Sequence, residues 1–149
     1  MILSQDMKDL VALFEKYEVK YALIGGYAVI YYGVVRTTQD IDFLIKPEAH
    51  NAQQMMMVLK EFGFANAGIE ASHFEKESVA IHLGVEPNRI DLITSILGVN
   101  NEEIFKHIEN VSIDTCQLKI ISRTHLTQSK ECSKRYKDLA DAEALKGLN

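Results

Sequence analysis

The chain has 149 residues, 47% hydrophobic and 25% charged, with a formal net charge of −5, the profile of one globular domain able to bury a core. No apolar run reaches membrane-spanning length, and the start, Met1-Ile2-Leu3-Ser4-Gln5-Asp6, lacks the basic stretch of a secretory leader, so a cytoplasmic protein with no membrane partner is expected. The acidity excludes broad nonspecific nucleic-acid binding, and Cys116 and Cys132 read as reduced thiols rather than a disulfide framework.

Ser4 is placed to cap a first helix with Met7, Leu10, Val11, Phe14 and Tyr17 at helical spacing. Lys20 to Ile24 reads as a buried strand ending at Gly25-Gly26, and Tyr27 to Tyr32 as a short helix closed by Gly33. The polar loop Arg36-Thr37-Thr38-Gln39 leads into a second strand, Asp40 to Ile45. Pro47 starts a helix carried by Ala52, Met55, Met56, Leu59 and Phe62 and stopped at Gly63. After a weakly patterned stretch, Val79 to Leu83 and Arg89 to Thr94 read as paired strands joined through Gly84–Asn88. Asn101 to Ile108 is expected to be helical. Val111–Thr115 and Leu118–Ile121 suggest a hairpin around Cys116-Gln117. Ser122 or Thr124 can cap a helix through Lys130, and a last helix runs from about Tyr136 to Leu145 with Leu139, Ala142 and Leu145 on one face. The whole is expected to be a single domain over residues 1–149, of α/β (α+β) class, with a mixed β-sheet flanked by helices and a helical C-terminal segment from about residue 123.

The most informative residues are Asp40 and Asp42. Side chains at i and i+2 of a strand share a face, so these two carboxylates stand about 6–7 Å apart along the backbone, within reach of shared divalent ions. Ile41 and Phe43 then point together into the core. Asp91 lies on another predicted strand and completes a third ligand if that strand neighbours the second. Such a triad suits two magnesium ions, with manganese able to substitute: Asp40 and Asp42 hold both, and Asp91 serves one and is the candidate general base for a hydroxyl. Gly25-Gly26 offers bare backbone N–H groups at a helix start, which suits the phosphates of an NTP. Arg36 reads equally as a triphosphate contact or a solvated loop residue. Arg89 shares the face of Asp91, where it neutralises the carboxylates or touches substrate.

Charge is uneven along the chain. Lys119, Arg123, Lys130, Lys134, Arg135 and Lys137 with only Glu131 make the segment 119–137 +5, which leaves −10 elsewhere. A local reversal of this kind suits a polyanion, or else a solvated helix face. No Gly-x-Gly-x-x-Gly or P-loop is present, and the five histidines show no zinc spacing.

Tyr21-Ala22-Leu23-Ile24-Gly25-Gly26-Tyr27-Ala28, followed by Gly33, Arg36, Thr38 and Asp40-Ile41-Asp42-Phe43, resembles the signature of the DNA polymerase β-type nucleotidyltransferases, in particular small bacterial members and abortive-infection toxin enzymes. The ending Leu126, Ser129-Lys130, Arg135, Lys137-Asp138-Leu139-Ala140-Asp141 and Leu145 is similar to that group's closing motif. Gly26 stands where a serine is often found. The resemblance implies the polymerase β-type fold, a phosphate contact for Lys130 and a site-anchoring role for Asp138, which by itself reads equally as a charge on the last helix. It implies a magnesium-dependent transfer of a nucleoside monophosphate from NTP to a hydroxyl, with pyrophosphate released. The acceptor is expected to be an RNA 3′ end or a protein, in a toxin–antitoxin setting with a cognate partner protein. Two alternatives stand beside it. The same stretch resembles small antibiotic nucleotidyltransferases of the lincosamide-modifying kind, and the acidity outside 119–137 suits a cationic drug. A non-catalytic, antitoxin-like interaction module is the other.

Overall fold

The computed structural model describes residues 1–148. Ser4 accepts a hydrogen bond from the Met7 N–H and starts α1 (Gln5–Lys16), whose Met7, Leu10, Val11 and Phe14 are buried. The chain continues through β1 (Tyr21–Ile24), α2 (Gly25–Tyr31), β2 (Asp40–Ile45) and α3 (Ala49–Glu61). A single 3-10 turn at Ala71–Phe74 buries Phe74 within the stretch that shows little pattern in sequence. Then come β3 (Ala80–Leu83), β4 (Arg89–Ile93), α4 (Asn101–Lys106), β5 (Glu109–Ile113), β6 (Cys116–Ile120), α5 (Arg123–Glu131) and α6 (Tyr136–Lys146).

The strands form one mixed sheet in the order β3-β4-β2-β1-β6-β5, flanked by helices as the sequence leads one to expect. β1 runs antiparallel to β2 and parallel to β6, while β2 runs parallel to β4. One face carries Tyr21, Leu23, Ile41, Phe43 and Ile45, and α1 packs on it: the Phe14 ring lies 4.5 Å from Tyr21 and 5.2 Å from Phe43 between centroids. The opposite face carries Ile24, Leu44, Asp40, Asp42 and Asp91. Strand alternation therefore places the core of the sheet and the site back to back. Asn51, buried on α3, ties the ends of β1 and β2 by accepting from the Lys20 N–H and donating to the carbonyls of Lys20 and Lys46.

Four elements differ from the sequence reading. The short second helix begins at Gly25 rather than Tyr27, because the glycines form its first turn instead of a preceding loop. The fourth helix stops at Lys106, since Glu109 already pairs in β5. The last hairpin turns at Asp114-Thr115, not Cys116-Gln117: Ile113 pairs with Cys116, and Asp114 takes the left-handed conformation (φ 56°) that a glycine would otherwise supply. Its carboxylate accepts from the Leu3 N–H at 3.2 Å and from Lys8 at 3.1 Å, which fixes that turn to the N-terminus. On α6, Leu139 is exposed and Asp141 is buried in its place, beside Ala142 and Leu145. Both cysteines are free thiols, and no helix among the described residues is long and apolar enough to cross a membrane.

Candidate active site

β2 and β4 run side by side with Asp40 opposite Arg89 and Asp42 opposite Asp91. Parallel pairing in this register puts all four side chains on one face. Asp40, Asp42 and Asp91 each offer a carboxylate oxygen, and these oxygens lie within 4.8 Å of one another. Three converging carboxylates repel, and Asp42 shows it: burial first, then the charges of Asp40 and Asp91, push its pKa up to about 7. A divalent cation would relieve that repulsion, so the donor set fits a hard oxygen-seeking metal. Asp91 behaves oppositely. Burial raises its pKa, but hydrogen bonds from Arg89 and His82 outweigh burial and hold it below the usual carboxylate range.

Gly25 is required by Asp42. It sits at φ +67°, and a β-carbon there would collide with Asp42 Oδ2. Gly26 answers a different need. A β-carbon would come 2.7 Å from Thr38 Oγ1 and 3.1 Å from Arg36 Nη1, so its bareness lets the Arg36–Gln39 loop close on the helix start. Gly25→Ala is expected to cost roughly 1–2 kcal/mol from the left-handed backbone alone and to displace the Asp42 carboxylate. Thermal melts with and without manganese check this: the variant should melt lower and gain little from the metal.

The basic wall comes from α5 and α6. Lys130 Nζ lies 2.9 Å from Asp138 Oδ1 and 3.2 Å from Asp141 Oδ2, and Ser133 Oγ donates to Asp138 Oδ2 at 2.7 Å. Burial raises the Asp138 pKa, but Ser133 and Lys130 outweigh it and set it low. Arg36 is not a solvated loop residue. Its side chain is only 14% exposed and its Nη1 pairs with Asp141 Oδ2 at 3.0 Å. Asp141 therefore orients both Lys130 and Arg36, a part that the sequence did not single out.

Two clefts meet here. A polar one of about 570 Å³ is bordered by Gly25, Gly26, Arg36, Asp40, Asp91 and Lys130. A second, of about 610 Å³, starts from the same Gly25, Asp42 and Lys130 and runs between Ile24, Ile93, Leu126 and the loop 95–100 to Glu77. Every residue singled out from the sequence thus borders one shared space. His82 was missed. It stands opposite Asp91 across the β3–β4 pair, more than half exposed, with Nδ1 2.6 Å from Asp91 Oδ1. Only the hairpin register identifies it.

The family model of the aminoglycoside-2''-adenylyltransferases matches residues 6–95, which take in α1 through β4 and all three acids. The chain belongs to this family. It is accordingly a nucleotidyltransferase enzyme of the DNA polymerase β-type superfamily. The crystal structure of the lincosamide antibiotic adenylyltransferase LnuA, lincomycin-bound, superposes with a TM-score of 0.55 at 16% identity, covering 99% of each chain. That likeness gives the fold over the whole length, including α5 and α6, which the family model does not reach. No curated protein sequence matches the chain.

Proposed function

We propose that this chain transfers AMP from ATP to a hydroxyl of a small antibiotic molecule. The observation that carries the proposal is the junction of the two clefts at Asp42: a polar, charged space beside the acid triad opens into a second space of small-molecule size. Membership of the aminoglycoside-2''-adenylyltransferases and the fold shared with the lincosamide enzyme LnuA support a small acceptor over the RNA end, protein target and toxin–antitoxin partner expected from sequence. Glu77, at the far end of the larger cleft, accepts from Asn101 Nδ2 at 3.3 Å and offers an anion to an acceptor that carries an amine.

Residues 1–149 act as one nucleotidyltransferase unit, with α5 and α6 supplying one wall of the site. Asp40, Asp42 and Asp91 would hold the magnesium ions, which would supply neutralisation of phosphate charge and a lowered pKa for the attacking hydroxyl. Lys130 and Arg36, aimed by Asp138 and Asp141, set positive charge along the triphosphate, and Gly25 and Gly26 keep its approach clear. The acceptor oxygen forms a bond to the α-phosphorus as the bond to the bridging oxygen breaks, and pyrophosphate leaves. Asp91 takes the hydroxyl proton.

The test is incubation of the protein with magnesium and ATP against a panel of aminoglycosides and lincosamides, read by mass spectrometry. One antibiotic class should gain the mass of one AMP residue. Unmodified antibiotics alongside labelled RNA or protein from a cell extract would contradict the proposal.

A further inference from the structure

Arg89 opens β4 directly opposite Asp40 and two residues before Asp91, on their face of the sheet. Its guanidinium grips both acids. Nε donates to Asp91 Oδ1 at 2.8 Å, and Nη2 donates to Asp91 Oδ2 at 3.0 Å and to Asp40 Oδ2 at 2.9 Å. His82 takes a further position on Asp91 Oδ1, so both Asp91 oxygens are engaged. A divalent cation held by Asp91 needs an oxygen that the guanidinium already grips, and two positive centres drawn to one oxygen repel each other at contact distance. A second station exists for the arginine: Glu86 Oε1, half-exposed on the cleft wall, lies 3.9 Å from Nη1, the guanidinium nitrogen that makes none of the three bonds.

We propose that Arg89 is a positioning residue that holds Asp40 and Asp91 converged and is exchanged for the metal, turning to Glu86 as the metal enters. Metal binding is then an exchange of cations. A monovalent ion, with no more charge than the guanidinium it must displace and none of its bidentate geometry, does not compete.

The experiment is manganese titration by calorimetry, without nucleotide, of wild type, Arg89→Gln, Glu86→Gln and the double variant, with chelated samples melted in parallel. Arg89→Gln should bind manganese roughly tenfold more tightly, the factor for losing one charge-assisted contact, while its chelated form melts lower than wild type. Glu86→Gln should bind manganese several-fold more weakly, and that loss should vanish in the double variant, because it acts through Arg89. Manganese affinity of folded Arg89→Gln equal to or weaker than wild type would overturn the exchange. An undiminished Glu86→Gln effect in the double variant would overturn the second station. The inference rests on reading the three acids as the metal site: wild type that takes up no manganese ends that reading, whereas the outcomes above end only the role of the arginine.

Discussion

Asp42→Asn is expected to erase the stabilisation that magnesium or manganese gives the wild-type protein, and to abolish transfer. The metal enters through linkage: an ion at a hundred times its Kd adds about 2.7 kcal/mol, or roughly 5–10 °C in a chain of this size. Asp42 contributes a pH dependence whose sign follows from its environment. Burial and the neighbouring acids raise its folded pKa to about 7, above the unfolded carboxylate value. The folded chain therefore keeps a proton that the unfolded chain releases. For chelated protein, the stability from this proton is full below about pH 4 and is lost as pH rises through about 7. Metal displaces the same proton, so the gain from metal grows over that interval. Asparagine carries no charge to repel Asp40 and Asp91. Chelated Asp42→Asn should accordingly match or exceed wild type at pH 8 and show no metal gain at any pH. Melts in chelator and in manganese at pH 5.5 and 8 check this, and a preserved metal shift in the variant would remove Asp42 from the site.

Lys130→Ala should lower single-turnover transfer by on the order of 10²–10³, the scale for removing one preorganised charge from a developing anion. The same lysine is also part of the folded structure. In the fold its side chain is 15% exposed and bridges Asp138 and Asp141. Removing it leaves Asp138 with Ser133 and a distant Arg135, and Asp141 with Arg36, so a stability loss of about 1–3 kcal/mol is expected beside the catalytic one. Lys134→Ala and Lys137→Ala alter exposed lysines and should give small, salt-sensitive losses without destabilisation. Urea unfolding with single-turnover label transfer separates the effects. Equal transfer losses in all three variants would assign the basic segment to diffuse electrostatics.

The acids were legible because a strand repeats every two residues: Asp40 and Asp42 had to share a face, with Ile41 and Phe43 behind it. The position of Asp91 needed only that its strand lie beside the second, and β2–β4 pairing supplies that. His82 was hidden, because it becomes a partner of Asp91 only once the β3–β4 pairing is known. Arg89 was legible as a neutraliser of the carboxylates on the face of Asp91, and the β2–β4 register adds its bond to Asp40. Asp141 was legible only as part of the closing motif, because nothing in the local sequence shows which partner a helical acid meets. Its burial comes from Arg36, brought from the far end of the chain by the packing of α6. The hairpin was set two residues late because an aspartate, not a glycine, carries its left-handed turn.

The central claim is that the acid triad moves a nucleoside monophosphate, and the position of the transferred phosphorus tests it most directly. With an accepted antibiotic in hand, parallel single turnovers are run with ATP labelled at the α- or at the γ-phosphate. The α-label should appear on the acceptor and the γ-label in pyrophosphate, with neither product formed by Asp42→Asn. Transfer of the γ-label to the acceptor, or transfer of the α-label undiminished in Asp42→Asn, would contradict the account.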